Sequence, residues 1–408
     1  MAFTLGATPP DSEQLRLHRQ QFPALENKSY FNYGGQGPMP AAAIAAMHAA
    51  HLKLQQQGPF SATVNRWLQK EAAATRVAIA QQLGVTTDTI ALTESVTGGC
   101  NIPLWGLDWQ AGDRILMSDC EHQGIIATVQ EISRRFGVAI DVFPLLNNAQ
   151  GSDPVAVIDA HLQPRTRLLI ISHVLWNTGQ VLPLTEIVQL CHQRPQPTWV
   201  LVDAAQSVGM LPLNLGATEV DFYAFTGHKW CCGPAGLGGY YGRAELRDRV
   251  APTYIGWRGI TVDGQGQPTG WEIDNRRYEV ATSDYALMPG LRTAWAMHDQ
   301  WGNAEARYQR ICHLSRYLWE ALQGLPQVRC LMPHPPASGL ISFQILAQGK
   351  ASVEHSAHLA EDLETGGILI RTLRYPSCVR ACVHYFTLEA ELDHLVEAIK
   401  DWVTTHCT

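Results

Sequence analysis

The sequence predicts an α/β fold: a large, mostly parallel seven-stranded sheet domain followed by a smaller C-terminal α+β domain. Three observations lead there. From about residue 80 to 242, short β-branched or apolar runs alternate with helix-like stretches. Several of those runs are apolar almost throughout, as strands covered on both faces have to be. After about Arg243 the texture changes to loops, a long helix, a strand and an amphipathic terminal helix.

The elements follow in order. Residues 1–27 form a polar N-terminal segment, carrying Pro9 and Pro10, expected to pack with the small domain. Residues 28–285 are assigned to the large domain. Its strands are expected at Thr89–Leu92, Ile115–Met117, Ile140–Leu145, Leu168–Ser172, Val200–Val202, Phe222–Phe225 and Gly238–Tyr241. Gly124–Phe136 and Leu184–Cys191 read as crossover helices. Residues 251–290, rich in Gly, Pro and Trp, read as loops. The small domain, 286–408, has a helix over roughly Asn303–Leu322, where Ile311, Leu314, Leu318 and Leu322 recur at helical spacing. Gly339–Leu346 reads as a strand. In the last helix Leu392, Leu395, Val396, Ile399, Trp402 and Val403 share one face.

Bulk composition narrows the function. With 408 residues, 46% of them hydrophobic and 16% charged, the chain is a compact globular protein and not a disordered one. A formal charge of -7, with no basic run, leaves no footprint for nucleic acid. No stretch approaches the ~18 apolar residues of a membrane span, and the N-terminus lacks the apolar core of a signal peptide, so a cytoplasmic location is expected. The ten cysteines include no CxxC pair and no zinc-type His/Cys spacing. No metal site is expected; reduced, mostly buried thiols are. Cys231 and Cys232 read as packing residues.

One constellation carries chemistry. Phe222–Phe225 reads as a strand, and Thr226-Gly227-His228-Lys229-Trp230 follows it, where open α/β sheets place ligands. Alone, Lys229 reads as a surface lysine in a loop. Asp203 ends the apolar run Val200-Leu201-Val202, where a bare carboxylate is costly unless paired; a helix cap or a buried ion pair is the plain alternative. Ser95-Val96-Thr97-Gly98-Gly99 follows the first strand and opens a helix, whose amides favour an anion. His122 and Asn177 also stand just beyond strands, and Gln206 lies three residues after Asp203. Each signal is weak or moderate alone. Together they meet the needs of pyridoxal 5′-phosphate. Thr97, Gly98, Thr226 and His228 serve the phosphate, and Asp203 the pyridine nitrogen. His122 covers the ring, Asn177 and Gln206 reach its hydroxyl, and Lys229 bonds its aldehyde.

With these residues placed, the chain resembles the class V aminotransferase family of fold type I pyridoxal-phosphate enzymes, which includes cysteine desulfurases. The similarity runs from Tyr30-Phe31-Asn32 to the last helix, and is most specific at Asp203-Ala204-Ala205-Gln206-Ser207 and Gly227-His228-Lys229. The resemblance implies a homodimer with shared active sites, in which Thr282 reaches the phosphate of the neighbouring subunit. It also implies that Arg380 grips a substrate α-carboxylate. Within the family, the segments Phe31–Gly37, Leu104–Trp109, Leu175–Leu184 and Tyr254–Arg258 are similar to those of L-cysteine/cystine C–S lyases. That similarity adds Arg371 as a second arginine and Trp257 as a bulky residue near the substrate. A surface ion pair for Arg371 and simple packing for Trp257 are the alternatives.

The implied activity is β-elimination on L-cystine or L-cysteine, yielding pyruvate, ammonia and a persulfide or sulfide. A desulfurase, yielding alanine and a protein persulfide, is the nearest rival. It needs a mobile cysteine in an Arg-x-Gly-x-x-Cys setting, but here Arg371-Thr372-Leu373-Arg374-Tyr375-Pro376 has neither that glycine nor that cysteine. Cys378 stands two residues later. Gln123 replaces the proline that often follows the ring-covering histidine. A non-catalytic sulfur-delivery scaffold is a third reading, and the retention of Lys229, Asp203, His122 and Arg380 argues against it.

Overall fold

The computed structural model describes residues 12–146 and 153–407, so the N-terminal segment before Ser12, including Pro9 and Pro10, lies outside the described residues. Seven strands form the main sheet: β1 (Ile90–Thr93), β2 (Arg114–Ser118), β3 (Ala139–Phe143), β4 (Thr166–Ser172), β5 (Trp199–Asp203), β6 (Phe222–Thr226) and β7 (Gly238–Gly242). Their order across the sheet is β1-β7-β6-β5-β4-β2-β3, and β7 alone runs antiparallel to its neighbours. All seven predicted strands are present, within a few residues of the predicted ends.

Alternate side chains of the central strands enter separate cores, which is why those runs are apolar almost throughout. Ile115, Met117, Leu168, Ile170 and Leu201 pack with the helices Val96–Gly106 and Gln123–Phe136. Leu116, Leu169, Ile171, Val200 and Val202 pack on the other face, with the helices Ala62–Leu83, Leu184–His192 and Leu287–Trp301. Each such side chain contributes about 1.5–3 kcal/mol by leaving water.

A third core lies under an antiparallel sheet of β8 (Val328–Cys330), β9 (Leu340–Ala347), β10 (Arg371–Arg374) and β11 (Ser377–Cys382), in the order β8-β9-β11-β10. The helices Ala304–Gln323 and Glu389–His406 cover it with their predicted apolar faces; Leu392, Leu395, Ile399, Trp402 and Val403 are buried and Val396 half-buried. The helix Ser12–Arg19 and the turn after it join this core through Leu15, Phe22 and Leu25. Arg19 donates to the Phe386 carbonyl and pairs with Glu391 at 2.7 Å.

Residues 251–290 depart from the loop expectation. They contain a two-stranded hairpin, Ile260–Val262 with Pro268–Trp271, a short turn of helix at Asn275–Tyr278, and the start of the helix Leu287–Trp301. The hairpin strands are almost wholly exposed, so no apolar alternation marks them, and Pro268 and Gly270 disguise them further. No described helix is long and apolar enough to cross a membrane.

Candidate active site

The carboxyl ends of β1, β2, β4, β5 and β6 meet the β10–β11 hairpin around a cavity of about 330 Å³. Lys229, Asp203, His122 and Thr97 line it, as do Gln206, Thr226, His228, Arg371 and Arg380. Thus nine of the thirteen residues singled out from the sequence converge.

Asp203 is buried at the end of β5, and one carboxylate oxygen accepts the Ala205 amide at 2.9 Å. Burial raises its pKa, an effect opposed by the Ala205 amide and by the charges of Lys229 and His122. Lys229 follows β6 in a crowded loop: a Cβ on Gly37 would lie 2.2 Å from the Lys229 carbonyl oxygen. Burial pulls the Lys229 amine down to about 8; Asp203 opposes that shift, and Arg380 and Arg371 reinforce it. An amine near 8 is neutral in about a tenth of molecules at pH 7, far more than an ordinary lysine, and proton abstraction requires that neutral form.

The Thr226 hydroxyl lies 2.7 Å from His228 Nδ1. Burial and the Lys229 charge lower the His228 pKa. Thr97 lines the cavity, whereas Gly98 stands just outside it, its amide capped by Ser95 Oγ at 3.1 Å. His122 caps the helix Gln123–Phe136: its Nδ1 accepts the Gly124 amide, which leaves Nε2 as the free corner of the ring. Gln206 has its amide partly committed, donating to the Gly34 carbonyl and accepting from the Trp230 indole. Asn177 is buried beside the cavity; its Nδ2 donates to the Tyr375 carbonyl at 3.5 Å and its Oδ1 has no partner.

The hairpin changes how the two arginines are understood. Nine residues apart in sequence, Arg371 and Arg380 are direct cross-strand partners. Arg380 is buried, donates to the Trp176 carbonyl at 2.8 Å, and leaves its Nε unpartnered. Among the described residues neither guanidinium has a carboxylate partner. Like charges directly opposite are unfavourable, so the pair is suited to a bound anion. Gly34 and Gly35 make the room: Cβ atoms there would stand 2.8 Å from Arg380 Cζ and 3.0 Å from an Arg371 nitrogen.

Thr282 and Trp257 are not brought to the cavity of this chain. Both are exposed, Trp257 by 60%, on surface segments joined by the Arg258 amide and the Val280 carbonyl. Cys378 is wholly buried in β11 opposite Leu373, and burial pushes its thiol up to about 12. The cysteines match expectation: eight of the ten are buried, and Cys312 and Cys407 are half-buried.

Two contributors escaped notice in the sequence. Trp176 walls the cavity between His122, whose ring it meets edge-on at 6.1 Å, and Arg380. Glu121 is buried behind His122 and accepts from the Ser118 hydroxyl and from the amide and hydroxyl of Ser172. The reasoning applied to Asp203, an acid ending an apolar strand region, would have found it.

The orphaned Asn177 oxygen, the carboxylate of Asp203 and the amine of Lys229 suit a pyridine ring that bears a hydroxyl and an aldehyde. The residues fit pyridoxal phosphate. The family model described as aminotransferase class-V matches residues 29–395. A cysteine desulfurase of Klebsiella pneumoniae (strain 342) is 30% identical over 413 residues, spanning 94% of this chain and 96% of its own. An isopenicillin N epimerase of Amycolatopsis lactamdurans is 28% identical, covering 93% of this chain and 95% of its own. The cystine C–S lyase C-DES, solved with its reaction product cysteine persulfide, superimposes with a TM-score of 0.90 at 48% identity, over 93% of this chain and 99% of its own. A variant of C-DES with glycine covalently linked to its pyridoxal-phosphate cofactor gives 0.91 at 48% identity, over 94% and 99%. The fold is that of fold type I pyridoxal-phosphate enzymes. The chain belongs to the class-V aminotransferase family, and its cofactor is pyridoxal 5′-phosphate.

Proposed function

We propose that the protein is a carbon–sulfur lyase that eliminates the β-sulfur group of L-cystine, or of L-cysteine, to give pyruvate, ammonia and a persulfide or sulfide. The observation that carries this choice is the state of Cys378. A desulfurase needs a mobile thiolate to take up sulfur, and this thiol is enclosed in a strand and held neutral. The C-DES likeness supports the same choice.

Lys229 holds the cofactor, Asp203 faces its ring nitrogen, His122 covers its face, and Thr97, Thr226 and His228 serve its phosphate. Bound pyridoxal phosphate supplies an electron sink for the pair left on the substrate Cα. Arg380, assisted by Arg371, grips the α-carboxylate and fixes which Cα bond faces Lys229. The neutral Lys229 amine takes the Cα proton. Asp203, ionised, stabilises positive charge on the ring nitrogen. The Cβ–S bond breaks, its electron pair leaving with sulfur. From cystine the leaving group is a persulfide, a better one than the thiolate from cysteine. The released enamine hydrolyses to pyruvate and ammonia. The unit is a homodimer of chains divided into domains 28–285 and 286–408, with Thr282 and Trp257 serving the neighbouring site.

The test is product identity. Purified yellow protein given L-cystine is expected to release pyruvate and persulfide, and Lys229→Ala to lose at least ~10²–10⁴-fold in rate. Alanine as the product would make the protein a desulfurase.

A further inference from the structure

At the two residues that follow Lys229, segments far apart in sequence come together, two of them bonding the lysine loop and a third joined through Tyr385. His298 comes from the helix Leu287–Trp301, His384 and Tyr385 follow β11, and His18 belongs to the helix Ser12–Arg19. His298, His384 and Tyr385 are buried. Cys232, His298 and His384 lie close enough to suggest a metal ion, their ligand atoms within 4.8 Å of one another. All four ring nitrogens of the two histidines are already committed, so no ion is called for.

Those commitments fix every proton. A carbonyl oxygen only accepts, so His298 Nε2 carries the hydrogen and donates to the Cys231 carbonyl at 3.0 Å. His298 Nδ1 is then a bare lone pair, and the Tyr385 hydroxyl, 2.7 Å away, donates to it. Having spent its only proton, that hydroxyl accepts from His18 Nε2 at 2.8 Å. In the same way His384 Nε2 donates to the Trp230 carbonyl at 3.0 Å, and His384 Nδ1 accepts the Tyr385 amide. The chain runs one way, His18 to Tyr385 to His298 to Cys231, and both carbonyls that follow Lys229 end on imidazoles. Burial keeps the three histidines neutral, as this pattern demands. The loop has little other freedom: Cβ atoms on Gly209 and Gly339 would strike its backbone and the Trp230 ring at 2.6 Å.

We propose that His18, Tyr385 and His298 are positioning residues for Lys229, forming a one-directional hydrogen-bond chain that ties the N-terminal helix to the backbone that follows the lysine. The inference rests on Lys229 as the cofactor-bearing residue. A lost link lets the loop relax, and the amine moves relative to Asp203 and the arginines.

The experiment uses holoenzyme and reads the pH midpoint of the cofactor's visible band, with kcat, KM and melting temperature beside it. Tyr385→Phe keeps the ring and removes the link. It is expected to shift the midpoint by about half a pH unit and to lower kcat roughly tenfold with KM little changed. His18→Phe, at the half-buried end of the chain, keeps the packing on Phe22 and Phe386 and carries little folding risk. It is expected to shift the midpoint in the same direction by less. His298→Gln, whose amide retains the donor to Cys231, is expected to stay nearer wild type than His298→Leu. Melting temperatures that fall while midpoint and kcat stay at wild-type values in both Tyr385→Phe and His18→Phe would overturn the proposal. If the wild-type band instead survived in Lys229→Ala, the assignment of Lys229 would fail, a separate result.

Discussion

At the scale of single residues, Glu121 has a measurable signature. No cation among the described residues pairs with it, and burial raises its carboxyl from 4.5 to about 7, against the pull of Ser118 and Ser172. The folded chain therefore holds a proton that the unfolded chain releases near 4.5. The stability tied to that proton is complete below about 4.5 and is lost as pH rises towards 7, on the order of 3 kcal/mol in all. Glu121→Gln does not titrate there. Wild-type stability minus that of the variant, followed by denaturant unfolding, is expected to fall between about pH 4.5 and 7 and to level off above; a flat difference would show a carboxyl of ordinary acidity. Arg380→Lys keeps the charge but loses the fork. We expect kcat/KM for cystine to drop about 10–100-fold, the worth of one charge-assisted hydrogen bond.

At the scale of elements, the lysine loop depends on the segment Gly34–Gly37. A methyl at position 37 meets backbone, not a yielding side chain, at the Lys229 carbonyl. Gly37→Ala is expected to weaken cofactor binding at least tenfold by absorbance titration, with Gly264→Ala, in open space, as the unchanged control. The same scale separates what the sequence discloses from what it conceals. Burial on both faces leaves unbroken apolar runs in the central strands, so these were legible, together with the acid that ends one and the lysine that follows another. The exposed hairpin at Ile260–Trp271 leaves no such trace. Arg371 and Arg380 were both legible, but their pairing is a matter of register, which spacing alone does not give. His298 and His384 come together only once two distant segments pack, and nothing local announces them.

At the scale of the whole molecule, one surface exposes several large apolar side chains together. Tyr254, Ile255 and Trp257 are exposed by 78%, 59% and 60%, close to the segment that carries Thr282. Apolar groups clustered this way mark an interaction face, and a second copy of the chain is the occupant that the shared-site proposal requires. Ile255→Asp combined with Trp257→Asp is expected to convert a dimer to monomer in sedimentation velocity, with at least a tenfold loss of turnover. A double variant that stays dimeric would move the interface elsewhere.

The facing guanidiniums of β10 and β11 make the pocket a small ion exchanger. Having no carboxylate partner among the described residues, they attract whatever anion the solvent offers. Substrate then binds by exchange, and its measured affinity is a difference between two anions. Sulfate and phosphate buffers should raise the apparent KM in proportion to their concentration while leaving kcat at saturation alone, and the mildest buffer salt should give the truest constant.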